Sequence, residues 1–480
     1  MKEIILRAPS MRHYFRYIFP IVIPLIVLFM PLSVFPFDGM TIVQQRVAAI
    51  FLFAALSWVL EPIPIYATSV AIICFELLLI SDKSLVWFTG QQGEAWYGTV
   101  MSHTEIMATF ANPIIMLFLG GFFLAIAATK YRLDINLARV LLKPFGEQPK
   151  YMILGLMLIT AMFSMFMSNT ATTAMMLSIL APVMALLKPG DPSRTAFALC
   201  IPLAANIGGI GTPIGTPPNA IALKYLQGSS NISFGEWMAF GVPFVVILMA
   251  FAWLFIIVLF PAKQKSISLD IKGQFLKTPQ AFVVYITFIT TIVLWLMGGA
   301  HGMNSYTVAM IPVTVFLMTG IINKEDLKQI SWDVLWLVSG GIALGLALDK
   351  SGLAALLVYS IPFGNFSPYV VLVGAALLSL LMANFMSNTA TANLLMPIMA
   401  ALGASMSSLE GMGGQTTLIL LVTFAASLGM ALPISTPPNA LAHATGHIQT
   451  SQMAKVGIFI GLLGIALSFV LVAILHIVKH

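Results

Sequence analysis

Residues 164–177 read SMFMSNTATTAMML, and residues 383–396 read ANFMSNTATANLLM. Each stretch sets a polar Ser-Asn-Thr in the middle of an apolar segment, 151–187 in one case and 368–405 in the other. One crossing of roughly 30 Å of hydrocarbon takes about 20 apolar residues, so each segment is too long for a single span. A helical hairpin that enters and leaves on the same side, with Ser-Asn-Thr at its tip, fits both. The copies do not stand alone. GTPIGTPPNAIA (211–222) is answered by MALPISTPPNALA (430–442). Leu119-Gly120-Gly121 with Lys130 is answered by Ser339-Gly340-Gly341 with Lys350. The offset stays at 219 or 220 residues. Three ordered matches at one spacing mark a duplicated module of about 220 residues.

Composition says what solvent surrounds these modules. The chain has 480 residues, 59% hydrophobic and 8% charged. A soluble domain carries about 25% charged residues to keep its surface hydrated. Lipid must therefore cover much of this one. The spans expected are 17–36, 44–61, 63–81, 113–130, 196–223, 237–260, 281–300, 306–322, 332–349, 415–442 and 455–477. The first is a retained span and not a signal peptide, because no small-residue cleavage site follows it. The fold class expected is an all-α polytopic membrane protein, with about 11 transmembrane helices plus two re-entrant hairpins in two inverted repeats. Residues 1–43 form an N-terminal segment with the first span. The first repeat covers 44–262, with its hairpin at 151–187 and a broken helix at 196–223. A linker at 263–280 precedes the second repeat, 281–480, with its hairpin at 368–405 and broken helix at 415–442.

Loop charge sets orientation. Lys2, Arg7, Arg12 and Arg16 precede the first span, and Lys263, Lys265, Lys272 and Lys277 fill the linker. Basic clusters beside spans stay on the cytoplasmic side. The net charge of +6 thus speaks of topology and is no nucleic-acid signal. Between the Gly-Gly span and the first hairpin lie Lys130, Arg132, Arg139, Lys143 and Lys150, whereas the second module holds only Asp349 and Lys350 there. The first stretch is expected inside and the second outside, which makes the repeats inverted. The N-terminus would be cytoplasmic and the C-terminus external, in a cell inner (plasma) membrane.

The motifs point to charge recognition without charged residues. Ser, Asn and Thr cap helix starts. At a hairpin tip the second helix presents its N–H groups and positive dipole end, which attract anions. Gly-Thr-Pro-Pro-Asn (215–219) and Ser-Thr-Pro-Pro-Asn (435–439) each remove two N–H donors and break a helix. The reading expects unwound backbone with free carbonyls, which are hard ligands for a small cation. Irregular backbone at membrane depth is tolerated only inside protein or along a cavity. One tip facing one break makes an anion site beside a cation site, and the duplication supplies it twice.

Bland readings exist for each part. A lone Ser-Asn-Thr is usually a cap or helix–helix glue, and a lone Pro-Pro a kink. Met162, Met165, Met167, Met175 and Met176 read as gap-filling core. Cys74 and Cys200 read as small hydrophobes with no disulfide framework. His443 and His447 lie just past the second break, at a helix end near water.

Absences narrow the function. Residues 151–187 hold no Asp, Glu, Lys or Arg, and from Ser351 to Ala454 the only one is Glu410. Proton relays in membranes use buried carboxylates or histidines, so Na⁺ held by neutral oxygens is favoured over H⁺ as coupling ion. No organic cofactor is called for. No phosphate loop, His-Glu-x-x-His or Gly-x-Ser-x-Gly motif is present, which leaves an enzyme without its parts. A channel remains a separate class, told from a carrier by its turnover.

Taken together, the paired Ser-Asn-Thr tips and paired Thr-Pro-Pro-Asn breaks resemble the divalent anion/sodium symporter family, including bacterial dicarboxylate carriers of the INDY type. The resemblance runs from about residue 44 onward, and its motifs are specific as a set. It implies a homodimer in the lipid bilayer and an elevator-like motion of a transport domain. It implies Na⁺ as coupling ion and symport of a C4 dicarboxylate such as succinate, malate or fumarate. It places the first sodium site at Ser164, Ser168, Asn169 and the backbone of Gly215. The second falls to Asn388 with backbone at Ala383, Met386 and Ser435. Substrate carboxylates would meet Ser168, Asn169, Thr170, Ser387, Asn388 and Thr389, with Thr216, Pro217, Thr436 and Pro437 nearby. One departure stands out. Ala383 occupies the position where Ser164 and many family members carry a hydroxyl, and the neighbouring Asn384 is a candidate to compensate. The same architecture also suits a sodium-independent dicarboxylate antiporter, or citrate or sulfate as substrate.

Overall fold

The computed structural model describes residues 11–37, 39–88, 93–267, 274–360 and 366–479. Lys2, Arg7 and Lys272 of the basic clusters lie outside them. The described chain is all-helical, apart from an isolated bridge between Ser81 and Met101. Among the described residues eight helices are long and apolar enough to cross a membrane. Shorter apolar helices include Phe15–Phe29, Ile65–Leu79, Pro149–Ser164, Ser305–Met318 and Gly414–Ser427. Isoleucines such as Ile286 and Ile289 are more than 60% exposed, as expected where lipid is the solvent.

Local chemistry explains the helix boundaries. Proline, which lacks an N–H that the first turn would leave unpaired anyway, opens the helices at Pro113, Pro149, Pro217, Pro279, Pro368 and Pro437. Thr41 with Gln44, and Ser233 with Glu236, form reciprocal capping boxes. Six consecutive helices start at Pro113, Leu133, Pro149, Asn169, Ser193 and Pro217. Six more start at Trp332, Leu353, Pro368, Asn388, Gly414 and Pro437, 219 to 221 residues later. The short helices Leu133–Leu142 and Leu353–Ser360 belong to this series, although the span-length criterion used on the sequence passes over them.

The chain divides into two compact units that draw on both halves of the sequence. The first comprises Met1–Ala111 and Trp336–Asn365. It holds the buried Arg46, which donates to the carbonyls of Leu79 (2.8 Å) and Phe88 (3.0 Å) and to the Tyr97 hydroxyl. Gly340 packs directly on Ser69, where a methyl group would meet backbone at 2.6 Å.

The second unit comprises Asn112–Leu335 and Phe366–His480. Its core gathers Trp237, Phe240, Phe244 and Phe424 in one aromatic cluster. Gly120 lets its helix approach Ala309 closely, as the Gly-Gly motif requires. Lys130, which ends that helix, reaches Asp326 at 2.6 Å. All the hairpin and broken-helix elements lie in this unit.

Candidate functional site

The first hairpin is built from Pro149–Ser164 and Asn169–Leu186. The second is built from Pro368–Phe385 and Asn388–Ser405. At each tip a serine is the N-cap. Ser168 Oγ accepts from Ala171 N at 3.1 Å, and Ser387 Oγ from Ala390 N at 3.1 Å. The caps hold one N–H each, which leaves the N–H groups of Asn169 and Thr170, and of Asn388 and Thr389, outside the intrahelical ladder at the dipole's positive end.

The breaks sit just upstream of the paired prolines. The first runs between Ser193–Gly209 and Pro217–Tyr225, the second between Gly414–Ser427 and Pro437–Ala444. Pro217 and Pro437 therefore start the second half-helix instead of lying within the unwound segment, because proline's fixed φ suits a first turn. The carbonyls are also less free than the sequence led one to expect. Asn219 Nδ2 faces the carbonyls of Gly209 (3.2 Å), Ile210 (3.2 Å) and Thr212 (2.8 Å). Asn439 Nδ2 holds those of Met430 (2.7 Å) and Leu432 (3.0 Å). A buried carbonyl without a donor is costly in an apolar interior, and the last residue of each Pro-Pro-Asn removes that cost.

At the first tip four oxygens converge. Ser164 Oγ lies 2.5 Å from Asn169 Oδ1 and 2.8 Å from the carbonyl of Ala205. One hydroxyl proton can serve only one of these acceptors. Asn169 Oδ1 and the Gly215 carbonyl both lie within 3 Å of the point where a Cβ on Gly209 would stand. The glycine is what admits them. Thr212 Oγ1 donates to the Met165 carbonyl and ties break to tip.

The second tip has other partners. Asn388 Nδ2 donates to the Ser427 carbonyl at 3.4 Å, and Asn388 Oδ1 is buried without a hydrogen-bond partner. Ser435 Oγ donates to the carbonyl of Asn384 at 2.8 Å, so it bonds to the first arm and not to Asn388. Asn384 is itself engaged. Its Nδ2 donates to Leu380 O at 2.8 Å and its Oδ1 accepts from Ala431 N at 2.7 Å. Asn384 therefore pins the break and is not the compensating ligand that its position beside Ala383 suggested. Ala383 is fully buried under Gly429.

The two assemblies interlock. Pro217–Tyr225 packs against Asn388–Ser405 and Gly414–Ser427, while Pro437–Ala444 packs against Asn169–Leu186 and Ser193–Gly209. Asn206, buried in the first broken helix, donates through Nδ2 to Thr436 Oγ1 and Asn439 Oδ1, each at 3.1 Å. Its sequence signal is only a lone amide in an apolar run, and the reading of motifs passed over it. Thr216, Thr436, Ser435 and Met386 are buried, as is Thr389. Thr170 and Pro437 are exposed, and Ser168, Asn169, Ser387, Asn388 and Pro217 are half-buried.

A cavity of about 310 Å³ runs beside the far half of Asn169–Leu186, lined by Leu180, Met184, Arg194, Ala198, Thr445 and His447. Arg194 donates to the carbonyls of Met184 (3.1 Å) and Leu187 (2.7 Å). Burial, and then the Arg194 charge, hold the His447 imidazole below its ordinary pKa. His443 Nε2 meets Thr450 Oγ1 at 3.2 Å at its helix end. Met165, Met167 and Met176 are buried as packing residues.

Such an arrangement defines a polytopic helical membrane protein whose interior pairs helix starts with unwound backbone. The sequence comparison makes that specific: residues 11–478 match the model of the sodium:sulfate symporter transmembrane region. The chain belongs to this family of transporters, the divalent anion:Na⁺ symporters. A protein named sodium-dependent dicarboxylate transporter SdcS, from Staphylococcus saprophyticus, is 33% identical over 459 residues, covering 87% of this chain and 83% of the relative. A Haemophilus influenzae protein named only as an uncharacterized transporter is 30% identical, covering 92% and 93%. Among solved structures, the YdaH transporter of Alcanivorax borkumensis aligns with TM-score 0.54 at 12% identity, covering 89% of this chain and 98% of that one. That likeness concerns the fold alone.

Proposed function

We propose that this chain is a secondary transporter in which sodium binding at the two tips drives symport of a C4 dicarboxylate such as succinate, malate or fumarate. The observation that carries the reading is the oxygen-rich, carboxylate-free cluster of Ser164, Asn169, Ala205 and Gly215 beside a capped helix start. Neutral oxygens suit a hard monovalent cation. The bound cation then adds a full charge beside the dipole end at Asn169, and a carboxylate is the natural partner. Asn388 would do the same at the second tip, so that two tips meet two carboxylates. The relatives named sodium-dependent dicarboxylate transporters support sodium and dicarboxylate alike.

The recurring series of six helices supports two repeats, and the loop charges support their inversion. Both hairpins and both breaks fall in one compact unit, which supports movement of the site as a body, in an elevator-like cycle. Pure protein in liposomes should accumulate succinate under an inward sodium gradient and stop when potassium replaces sodium. Undiminished uptake in potassium would reject coupling, and counterflow into succinate-loaded vesicles without sodium would identify an exchanger. Neutral donors do not count carboxylates, so citrate and sulfate belong in the same panel.

A further inference from the structure

The two tips differ in where a hydroxyl stands. In the first module Ser164 contributes one from the first hairpin arm. In the second module the matching residue is Ala383, and no side-chain oxygen is available there. Across from it, the last residue of helix Gly414–Ser427 is a serine. The residues 219 and 220 positions earlier are Gly208 and Ile207, neither with a hydroxyl. At these two positions the modules are thus reversed: Ser164 against Ala383 on the hairpin arm, and Ile207 or Gly208 against Ser427 on the broken helix.

Ser427 Oγ differs from Thr423 on its own helix and Ser379 on a hairpin arm, and shares with Thr391 Oγ1 the lack of a partner. Buried helical hydroxyls ordinarily return their proton to a carbonyl. Thr423 donates to Ile419 O at 2.6 Å and Ser379 to Val422 O at 2.9 Å. Ser427 is 1% exposed, yet its Oγ has no hydrogen-bond partner. The same holds for Oδ1 of Asn388, whose Nδ2 bonds to the Ser427 carbonyl. Two buried oxygens without hydrogen-bond partners thus belong to residues joined by the Asn388 Nδ2 to Ser427 O bond, and Ser427 closes its helix at the negative end, where cations are favoured. We infer that Ser427 Oγ is a ligand of the second sodium site, standing in for the hydroxyl that Ala383 lacks. This rests on the sodium-coupled reading above and extends it to a residue outside the recurring motifs.

The test uses full-length protein in nanodiscs and liposomes, with sodium chloride titrated against choline chloride. In Ser427→Ala the sodium-induced rise in Tm should shrink, and the half-saturating sodium for succinate uptake should rise about tenfold, the low end of losses seen on perturbing metal sites. Without sodium its Tm should hold or rise, because a hydroxyl with no partner has been removed. Ala383→Ser combined with Ser427→Ala should recover sodium affinity. A Tm lowered equally with and without sodium would make Ser427 merely structural and overturn the inference. So would an unchanged sodium dependence in Ser427→Ala while Asn388→Ala weakens it. If Asn169→Ala and Asn388→Ala both keep wild-type sodium dependence, the coupling reading itself fails.

Discussion

Replacing Gly209 with alanine puts one methyl group where the first tip has no room. The added carbon would stand 2.7 Å from the Gly215 carbonyl oxygen and 2.9 Å from Asn169 Oδ1. Ordinary contact is near 3.4 Å, so the two oxygens must yield by about 0.5 to 0.7 Å, the strain of an overpacked core. Cation sites tolerate shifts of about 0.2 Å in ligand distance. The Gly215 oxygen cannot retreat freely, because Gly215 N is tied to Thr212 Oγ1 at 3.1 Å and Thr212 in turn to the hairpin. Overpacking costs about 1–3 kcal/mol. If that strain is relieved by letting go of the cation, the half-saturating sodium concentration rises about 5- to 150-fold. Sodium-dependent succinate uptake in liposomes, measured as a sodium titration, reads this directly. Gly374→Ala is the control, since nothing lies within 4 Å of its added carbon. A Gly209→Ala protein with wild-type sodium half-saturation would show that Asn169 and Gly215 do not share a cation.

Other substitutions probe the rest of the assembly. Asn206→Ala removes the donor to Thr436 and Asn439. It should cost about 1–3 kcal/mol, seen as a lowered Tm in sodium and in choline alike; an unchanged Tm would deny the cross-link any role. Asn169→Asp or Asn388→Asp sets a carboxylate beside the proposed anion, and uptake should fall to background with monodisperse, folded protein. Near-normal uptake in both would remove the tips from the site. Asp326 is held below the usual carboxylate range: burial pushes it up, but hydrogen bonds from Lys130 and the Asn323 backbone outweigh that. A lowered folded pKa gives stability that is complete above the unfolded value and lost as pH falls through the folded one. Wild-type Tm should therefore drop below about pH 4, and Lys130→Met should flatten that drop while lowering Tm at pH 7.

How much of this could be read from the chain depended on whether a residue's role is local. Pro113, Pro149, Pro368 and the serine caps act within one turn, and the helices begin where those residues predict. The tips and breaks were visible because they recur at one spacing. Asn219 and Asn439 were visible as letters of a motif, but their task was not. An amide collecting carbonyls up to ten residues back requires the break to be folded first. Asn206, and the Asn388 amide on the Ser427 carbonyl, act across more than 35 residues of chain, with no periodicity or motif to announce the pairing. Asn384 shows the converse: proximity in sequence made it a candidate ligand, and packing assigned it to Ala431 and Leu380.

The amide of Asn219 bridges the end of one half-helix to the irregular stretch beyond it, while belonging to the other half-helix. Asn439, also from the second half-helix, holds two carbonyls within the irregular stretch, Met430 and Leu432. Each unwound segment is thereby splinted, and rewinding it would strip its carbonyls of their shared donor. In the cycle proposed above these segments should travel whole, each keeping the side-chain amide that bridges its carbonyls.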